Sequence, residues 1–452
     1  MAIEQIKVPY REGYDFGMGA DLLSGGPLAK ATDGTPVGVG QAGGSKVQFT
    51  VARIHTTSDL EQALGLHVDA SYGCAAFGAG VSARFDFAES ASVHTSSLFM
   101  TVAVTVSLEF LQLDTPALTA DAAALVDRPD LFAGRYGNVF VRGVARGGVF
   151  VGVLRVDTRS TSDAESISSD LHGSYGLFSG DAATKFQKAL EQYSSEVYVQ
   201  MYHEGGPVDL VITNPEDPLE LLRNADRFLA SFQNDPGAVA VPYEVTLAPM
   251  SIALGPPPLN YADIQHAQDV LVFCAHRRSA LLDELNLMQF IADNASRYDF
   301  PAGASLGQIQ AVVAGFQSDL DVIAQCASSA INSPATAVMP AAFAAAQGTA
   351  FPQGLMPAVM PVPKADRPPP TAVLIPNWDS EQTVLEGGVV PATGVVIPSA
   401  ADLGLTVQYV YAMNGTGSMG DVMGVKPPVG STVMNNVPVE VTVQRNPGPH
   451  DE

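Results

Sequence analysis

Positive charge is scarce in this chain of 452 residues, which has 23 Lys and Arg against 47 Asp and Glu and a formal net charge of −24. Nucleic-acid binding without sequence preference is therefore not expected, because it needs cationic side chains that displace counterions from phosphates. Simple electrostatic attachment to anionic lipid is excluded for the same reason. The charge leaves open a membrane function that depends on a specific receptor or on a separate targeting domain.

Cysteines and long apolar runs are also rare. Cys74, Cys274 and Cys326 are too few and too scattered to indicate a disulfide framework or a cysteine-based zinc site. No run approaches the roughly 20 apolar residues of a membrane-spanning helix, and the first residues lack the basic and apolar pattern of a secretory signal. We therefore expect a soluble protein without a Sec-type leader, whose release uses a non-classical route or cell lysis.

Apolar residues, by contrast, are plentiful. They make up 46% of the chain, whereas charged residues make up only 15%. A chain of this length and hydrophobicity can bury a large core, which excludes disorder as its main state and indicates two or three domains.

Alternation of apolar with small or polar residues predicts β-strands, because successive side chains of a strand point to opposite faces. It occurs in four long runs, which together predict an extended antiparallel sheet: Phe77–Phe87, Leu98–Val106, Asn138–Thr158 and Val197–Thr213. A shorter strand is predicted at Lys46–Arg53.

Helical periodicity predicts three helices, at Leu219–Phe232, Tyr261–Tyr298 and Ser305–Ile331. Proline then becomes dense between Phe351 and Pro370, which favours an extended linker. The last eighty residues read as short strands between turns. We expect a helical extension over residues 301–350, a Pro-rich linker over 351–370 and a small β-domain over 371–452.

One motif precedes a pair of glycines in the third alternating run. Tyr136, Gly137 and Phe140 are followed by Gly147 and Gly148. This spacing resembles the signature of the membrane attack complex/perforin (MACPF) superfamily, which in the wider sense includes the cholesterol-dependent cytolysins.

Two positions depart from that signature. Asn138 stands where Thr or Ser is usual, and Val139 replaces the usual His. Paired glycines inside a strand indicate a bend or a close backbone approach. The alternative reading is an ordinary tight turn at Arg146–Val149.

The order of the elements extends the resemblance to about residues 10–300. A second glycine pair, Gly205 and Gly206, follows the fourth alternating run. The resemblance implies an α+β fold in which residues 1–300 form a bent four-stranded antiparallel sheet flanked by two helical clusters, at about 71–97 and 158–195.

In such proteins each cluster refolds into a pair of membrane-crossing strands after the subunits have assembled in a ring. The resemblance therefore implies a pore-forming protein that binds a membrane lipid or a surface receptor of a target cell, forms a homo-oligomeric β-barrel pore, and needs no cofactor or nucleic acid. Apolar residues that alternate or follow a helical stripe in the clusters are the membrane-inserting candidates: Phe77, Val81, Phe85, Phe87, Ile167, Leu171, Tyr175 and Phe178.

Two alternatives stay open at this point. The clusters can be ordinary amphipathic helices that pack on a sheet. The protein can also be a non-lytic structural or adhesion protein, on the same fold or on an unrelated β-rich fold.

The remaining motifs give no enzyme. Ser305 lies in a Gly-x-Ser-x-Gly pattern, but it follows a loop rather than a strand, so we expect it to cap the next helix. The basic run 276–278 is interpreted as a solvated helix face. In the C-terminal domain, Trp378, Tyr409 and Tyr411 are candidates for contact with a target, or alternatively for its small core.

Overall fold

The computed structural model describes two compact units, the first made of described residues up to Pro363 and the second of those from Lys364 onward. The described residues are 5–39, 46–66, 83–157, 196–258, 260–364, 372–389, 395–400, 402–403, 405, 407–412, 418, 420–434 and 439–444.

Ten α-helices lie within these described residues: α1 (Thr57–Ala63), α2 (Ala83–Ser90), α3 (Ala120–Ala123), α4 (Pro129–Tyr136), α5 (Pro218–Asn234), α6 (Pro236–Val239), α7 (Tyr261–Asp293), α8 (Leu306–Asn332), α9 (Pro340–Ala346) and α10 (Glu381–Glu386). None of the helices in the described part of the chain combines the length and the hydropathy that crossing a bilayer requires.

Eighteen β-strands accompany them in the same residues: β1 (Ile6–Pro9), β2 (Met18–Ala20), β3 (Pro27–Lys30), β4 (Thr32–Gly38), β5 (Lys46–Ile54), β6 (Ser97–Leu118), β7 (Val139–Asp157), β8 (Glu196–Glu204), β9 (Val241–Pro249), β10 (Tyr298–Asp299), β11 (Val362–Pro363), β12 (Ala372–Leu374), β13 (Gly388–Val389), β14 (Val396–Ile397), β15 (Val407–Ala412), β16 (Val422–Lys426), β17 (Thr432–Met434) and β18 (Val439–Gln444). The chain is therefore an α+β protein, as the sequence predicts.

Strands β6 and β7 are the axis of a nine-stranded sheet. They are 22 and 19 residues long and pair antiparallel with each other. At one end of the sheet β5 lies beside β6 and β8 lies beside β7, which gives the order β5-β6-β7-β8. At the other end β4 replaces β5, and β9, followed by β1, replaces β8. Both long strands thus change partners partway along their length.

Helices cover both faces of β7, which explains why it is buried almost throughout. On one face Val149, Val151 and Val153 join a core that includes Leu60 of α1 and Phe85 of α2. On the other face Phe150 lies 5.7 Å from the ring of Phe228 in α5. A strand with two buried faces needs apolar or small residues at every position, which is the composition of β7.

Three of the four predicted alternating runs are strands of this sheet, namely β6, β7 and β8. The strand predicted at Phe77–Phe87 is wrong where the structure describes it, because residues 83–87 belong to helix α2. Residues 77–82 lie outside the described residues. Arg84, Phe85 and Ala88 share the buried face of that helix, so the same residues also fit a helical period. Strand β8 ends at Glu204, earlier than predicted, because Gly205 and Gly206 have positive φ angles of 71° and 76°.

The three predicted helices are confirmed as α5, α7 and α8, and local capping explains where two of them begin. The Asp217 carboxylate accepts a hydrogen bond from the Leu219 backbone N–H, and Pro218 occupies the first turn of α5. Ser305 accepts from the Gln308 N–H at the start of α8, as expected for a cap rather than a nucleophile. Helix α7 ends at Asp293, five residues before the predicted Tyr298.

Helices α7 and α8 share a hydrophobic core, so residues from the predicted helical extension pack with those of the first 300. Phe351 and Met360, in the predicted linker, also pack against this core. Asp319 of α8 is fully buried, and its carboxylate accepts hydrogen bonds from the backbone N–H groups of Gln353 at 2.7 Å and Gly354 at 2.8 Å. Residues 351–363 therefore lie along the helices, whereas 365–370 are outside the described residues.

The second unit is a small β-rich domain. Its sheet has the order β15-β18-β16, with β18 parallel to β15 and antiparallel to β16. Alternate residues of β18, Val439, Val441 and Val443, are fully buried in its core. Two-stranded pairings join β12 with β17 and β13 with β14.

We expect Asp319→Asn to lower the free energy of unfolding by about 2 kcal/mol, because the amide nitrogen would face a backbone donor and leave a buried N–H without an acceptor. The measurement is chemical denaturation followed by circular dichroism. Asp321→Asn is the matched control, since Asp321 is exposed on the same helix. Equal stability of the two variants would contradict the role given to Asp319.

Candidate functional site

Four strand ends meet at one end of the nine-stranded sheet. Ile54 at the end of β5 pairs with Phe99 near the start of β6, and Ser97 pairs with Asp157 at the end of β7. Asp157 also pairs with Glu196 at the start of β8. Two stretches of chain connect these strand ends, a first segment (residues 55–96) between β5 and β6 and a second segment (residues 158–195) between β7 and β8.

The two segments include the predicted helical clusters. Of the first segment the structure describes residues 55–66 and 83–96, and the second lies wholly outside the described residues. Phe85 is buried in the core under the sheet, and the ring of Phe87 lies 5.8 Å from that of Tyr202 in β8. The other membrane-inserting candidates lie outside the described residues: Phe77, Val81, Ile167, Leu171, Tyr175 and Phe178.

The first glycine pair of the motif lies where β7 changes partners, a point we call the strand junction. Gly147 pairs with Val241, the first residue of β9, and Val149 pairs with Glu204, the last residue of β8. A Cβ atom on Gly147 would lie 1.8 Å from the carbonyl oxygen of Val106 in β6. Only glycine allows the two long strands to approach this closely.

The second glycine pair, together with Gly148 of the first pair, packs closely at the same junction beneath helix α5. A Cβ on Gly148 would lie 2.6 Å from the ring of Phe232, and one on Gly206 would lie 2.5 Å from the ring of Phe228. On Gly205 it would lie 2.9 Å from the carbonyl oxygen of Gly147. The structure thus brings both glycine pairs together, although they are far apart in the sequence.

Two strands that pair with β7, namely β6 and β9, each have one extra residue at this junction, which shifts their pairing register. Leu108 is an extra residue on β6, between the pairs that Ser107 and Glu109 make. Tyr243 is an extra residue on β9, between Pro242 and Glu244. Such irregularities bend a strand locally and re-aim its side chains.

The other motif residues lie at the opposite end of β7. Tyr136 ends α4 and is buried, 5.2 Å from the ring of Phe132, and Phe140 belongs to the same core. Gly137 has a φ of 72°, and a Cβ there would lie 2.0 Å from the carbonyl oxygen of Ala20. These residues position the start of β7 rather than the junction.

Asn138, a departure from the superfamily signature, has a definite structural role in this chain. Its side-chain oxygen accepts a hydrogen bond from the Leu22 N–H at 2.9 Å. The amide therefore ties the entry of β7 to the turn after β2.

A buried arginine that sequence reasoning missed connects α2 to the junction. Arg84 is 4% exposed, and its guanidinium donates to both carboxylate oxygens of Glu204, at 2.7 and 2.6 Å. It also donates to the carbonyl oxygens of Leu64 at 3.0 Å and Tyr243 at 2.9 Å. The only sequence signal was an isolated arginine among apolar residues.

A second cluster of charges joins α2 and α1 to the long helix α7. Arg278 forms ion pairs with Glu89 of α2 at 2.5 Å and with Glu61 of α1 at 3.8 Å. Burial raises the pKa of Glu61, whose carboxylate also accepts a hydrogen bond from Ser279 at 2.8 Å. The prediction of a solvated basic face is therefore wrong for Arg278, because its partners are acidic groups of the same chain.

His94 lies between the end of α2 and the start of β6. It is 3% exposed and stacks on Phe290 of α7, with ring centroids 4.3 Å apart. Its Nε2 lies 3.3 Å from the hydroxyl of Ser97, which donates to Asp157 at 2.7 Å. Burial, with a smaller contribution from Arg155, lowers the pKa of His94 to about 4, against the opposing effect of Asp157.

The aromatic candidates of the second unit are placed as follows. Trp378 is 2% exposed, and its indole N–H donates to the carbonyl oxygen of Pro398 at 3.0 Å. This burial removes Trp378 from the candidates for surface contact. Tyr409 is half-buried against the domain core, and Tyr411 lies in the same strand, β15. Contact of either tyrosine with a target stays a prediction.

No family model and no curated protein matches this chain. Among solved structures it is similar to stonustoxin, with 12% identity over 73% of this chain and 42% of that one and a TM-score of 0.38. It is similar to GNIP1Aa from Chromobacterium piscinae, with 14% identity over 58% and 54% of the two chains and a TM-score of 0.30.

A third similar structure is a putative cell invasion protein with a MAC/Perforin domain from Bacteroides thetaiotaomicron, with 12% identity over 58% and 60% of the two chains and a TM-score of 0.33. This third protein contains the domain of the superfamily whose signature the motif of this chain resembles. In all three cases the match spans less than two thirds of the other chain. The TM-scores are below 0.5, and no residue of this chain takes a role from these superpositions.

We expect Gly147→Ala to destabilise the fold by about 3 kcal/mol or more, because the added methyl group meets a backbone oxygen that cannot move without shifting β6. Thermal unfolding measures the effect. Gly134→Ala in α4 is the control, since a Cβ there has no neighbour within 4 Å and alanine favours a helix. Comparable melting temperatures for both variants would contradict the close approach at Gly147.

We expect the stability of the chain to contain a component that is lost on acidification. His94 is buried and its pKa is lowered, so it stays neutral in the folded protein. Its contribution to the free energy of unfolding is fully present above about pH 6.5 and is lost as the pH falls towards about 4. The loss is up to about 3 kcal/mol. Urea denaturation from pH 7.5 to 4.0 of the wild type and of His94→Gln measures it. A pH dependence of equal steepness in both proteins would contradict the assignment to His94.

Proposed function

We propose that this chain is a pore-forming protein that binds a target membrane, assembles with further copies into a ring, and inserts β-hairpins formed by its first and second segments. The observation that carries the proposal is the meeting of four strand ends at one end of the sheet. Each segment joins two strands that end there, β5 to β6 and β7 to β8. If each segment became a hairpin, all four strands would lengthen in one direction without any change in their existing pairings.

The lengths of the segments suit this change. The second segment has 38 residues and the first has 42. A strand that crosses a bilayer in a barrel needs about 9–11 residues, so each segment exceeds the two crossings and the turn of one hairpin.

Isolated hairpins would not be stable in lipid, because their outer N–H and C=O groups would have no partners. Pairing between copies solves this problem, since it continues the sheet until it closes on itself. The two outer strands of the order β5-β6-β7-β8 suit head-to-tail pairing. Among the described strands, β5 pairs only with β6 and β8 only with β7.

A loop covers part of the outer edge of β8. The Val199 N–H donates to the carbonyl oxygen of Pro215 at 2.8 Å, so the loop after Gly206 occupies part of this edge. A ring would require that loop to move. The glycine pairs at the junction, beside the loop, provide the conformational freedom for a bent sheet to straighten at that point.

The partners under this proposal are a membrane lipid or a surface receptor and further copies of this chain. The scarcity of cations argues for a specific receptor or a targeting role of the second unit, with no nucleic acid, cofactor or enzymatic reaction involved. The protein would reach the target membrane as a soluble, acidic monomer, whose net charge opposes premature association.

The test is dye release from vesicles made of lipid extracts from several cell types, with negative-stain images of the same vesicles. Ring-shaped assemblies together with released dye are expected. Binding without rings or dye release would favour the alternative, a non-lytic structural or adhesion protein on the same fold.

We expect dye release to fall to background when α2 is tied to α7. Glu89→Cys and Arg278→Cys, in a Cys74→Ser background, place two thiols where an ion pair now joins the helices. A flexible bis-maleimide linker would then hold α2 on the sheet while leaving membrane binding intact.

The controls are each single-cysteine variant treated with the same reagent and a linker that contains a reducible disulfide. Reduction should restore dye release in the second case. Full release from the linked protein would show that α2 stays in place during pore formation, and would contradict insertion of the first segment.

A further inference from the structure

The guanidinium of Arg84 holds three separate parts of the first unit. Arg84 lies in α2, within the first segment, and four hydrogen bonds leave it towards Glu204, Leu64 and Tyr243. The Glu204 side chain is 21% exposed, and that of Arg84 only 4%. An ion pair this buried depends strongly on its geometry, because removal of one partner leaves the other charged and desolvated.

Two of its three acceptor residues, Glu204 and Tyr243, define the strand junction. Glu204 is the last residue of β8, directly before Gly205 and Gly206. Tyr243 is the extra residue at the register shift of β9. A single side chain of the first segment thus binds the end of one strand and the irregularity of the strand that replaces it.

The contacts continue across the sheet to β6. The Tyr202 hydroxyl donates to the Glu204 carboxylate at 2.6 Å, on the strand that precedes the turn. The Tyr243 hydroxyl lies 2.8 Å from that of Ser107, which pairs with Gly147 next to the extra residue of β6. The network therefore touches β6, β8 and β9 around the closest approach on β7.

We infer that the Arg84–Glu204 ion pair couples the departure of α2 from the sheet to the rearrangement of the strand junction, so that neither occurs without the other. If α2 left alone, the Glu204 carboxylate would keep the Tyr202 hydroxyl as its one remaining partner among the described residues. If the end of β8 moved alone, the buried guanidinium would lose its counter-charge. The functional meaning of this coupling rests on the proposed function, whereas the coupling itself is a property of the free chain.

The position of Arg84 in the sequence is compatible with both states of the segment. It has the opposite parity to Phe85 and Phe87, so in a strand it would face away from those two rings. A strand with the two phenylalanines towards lipid would therefore turn Arg84 towards water. The same residue can serve as a buried clamp in the helix and as a solvated cation in the strand.

The second arginine contact of α2 supplies a matched control. Arg278 binds Glu89 of α2 from helix α7, away from Glu204 and Tyr243. Glu89→Gln removes an ion pair of α2 without touching the junction contacts. Glu204→Gln, which is similar in shape to the native residue, removes the charge at the junction itself.

Hydrogen exchange of the full chain in solution, followed by mass spectrometry, tests the coupling without a membrane. In the wild type and in Glu89→Gln, peptides from α2 and from residues 241–245 should show one common protection factor, which is the intrinsic exchange rate of the same peptide unfolded divided by its measured rate. In Glu204→Gln the protection factor of α2 should fall by about tenfold to a hundredfold and the two factors should separate. Different protection factors in the wild type, or one common factor in Glu204→Gln, would overturn the inference.

Dye release from vesicles permeabilised by the wild type adds a second reading. Glu204→Gln should shorten the lag before release, with an unchanged amount of bound protein. Glu89→Gln, which keeps the junction contacts, should release dye after the same lag as the wild type. An unchanged lag in Glu204→Gln would overturn a role of the clamp in pore formation. If no variant releases dye, the proposed function fails while the exchange result still decides the coupling.

If Glu204→Gln does not fold, the double variant Arg84→Gln with Glu204→Gln takes its place. It removes both charges, so no buried ion is left without a partner. Its two protection factors should separate in the same way, and a single common factor would again overturn the inference.

Discussion

The antiparallel ladder between β6 and β7 organises the nine-stranded sheet of the first unit. It runs from the pair Ser97–Asp157 to the pair Gln112–Gly143, and each of the two strands pairs with different neighbours at its two ends. The register is continuous along this ladder except for one shift, at Leu108, close to the point where the two strands change partners. Because the ladder holds the strand ends together, both segments begin and end at the same end of the sheet.

The close approach of β6 and β7 in this ladder requires glycine at the junction. Gly147 lies against the backbone of β6, and the neighbouring Gly148 makes room for the aromatic rings of α5. The absence of side chains allows close packing in the soluble form. The same absence leaves the backbone free to adopt other conformations, so the position is suited to a sheet that changes shape.

Two of the few cationic side chains of this acidic chain form ion pairs that attach the same short helix, α2. Of its 23 Lys and Arg, Arg84 and Arg278 both hold the short helix α2, one at the strand junction and the other at α7. The Arg84–Glu204 pair is largely buried, and such pairs contribute little net stability compared with apolar packing but are sensitive to small displacements. Helix α2 is therefore attached by contacts that specify its position and that water can replace once the helix leaves.

Apolar runs, alternating with polar residues in β6 and nearly continuous in β7, predicted β6, β7 and β8, and apolar periodicity with capping residues predicted α5, α7 and α8. Those signals are local, so they survive without knowledge of the fold. The sequence also contained both glycine pairs and their order along the chain. It did not determine that residues 83–87 are helical, because Phe85 and Phe87 fit a strand period as well as Phe85 and Ala88 fit a helical one.

Tertiary structure alone decided which distant residues meet. Arg84 binds Glu204 and Tyr243, which are 120 and 159 positions away in the chain, and Asp319 binds the backbone 34 positions later. A hydrogen bond between such distant groups leaves no periodic trace in the sequence, since each partner is one polar residue among apolar neighbours. The burial of Trp378 was likewise decided by packing, because an indole ring suits a domain core and a binding surface equally well.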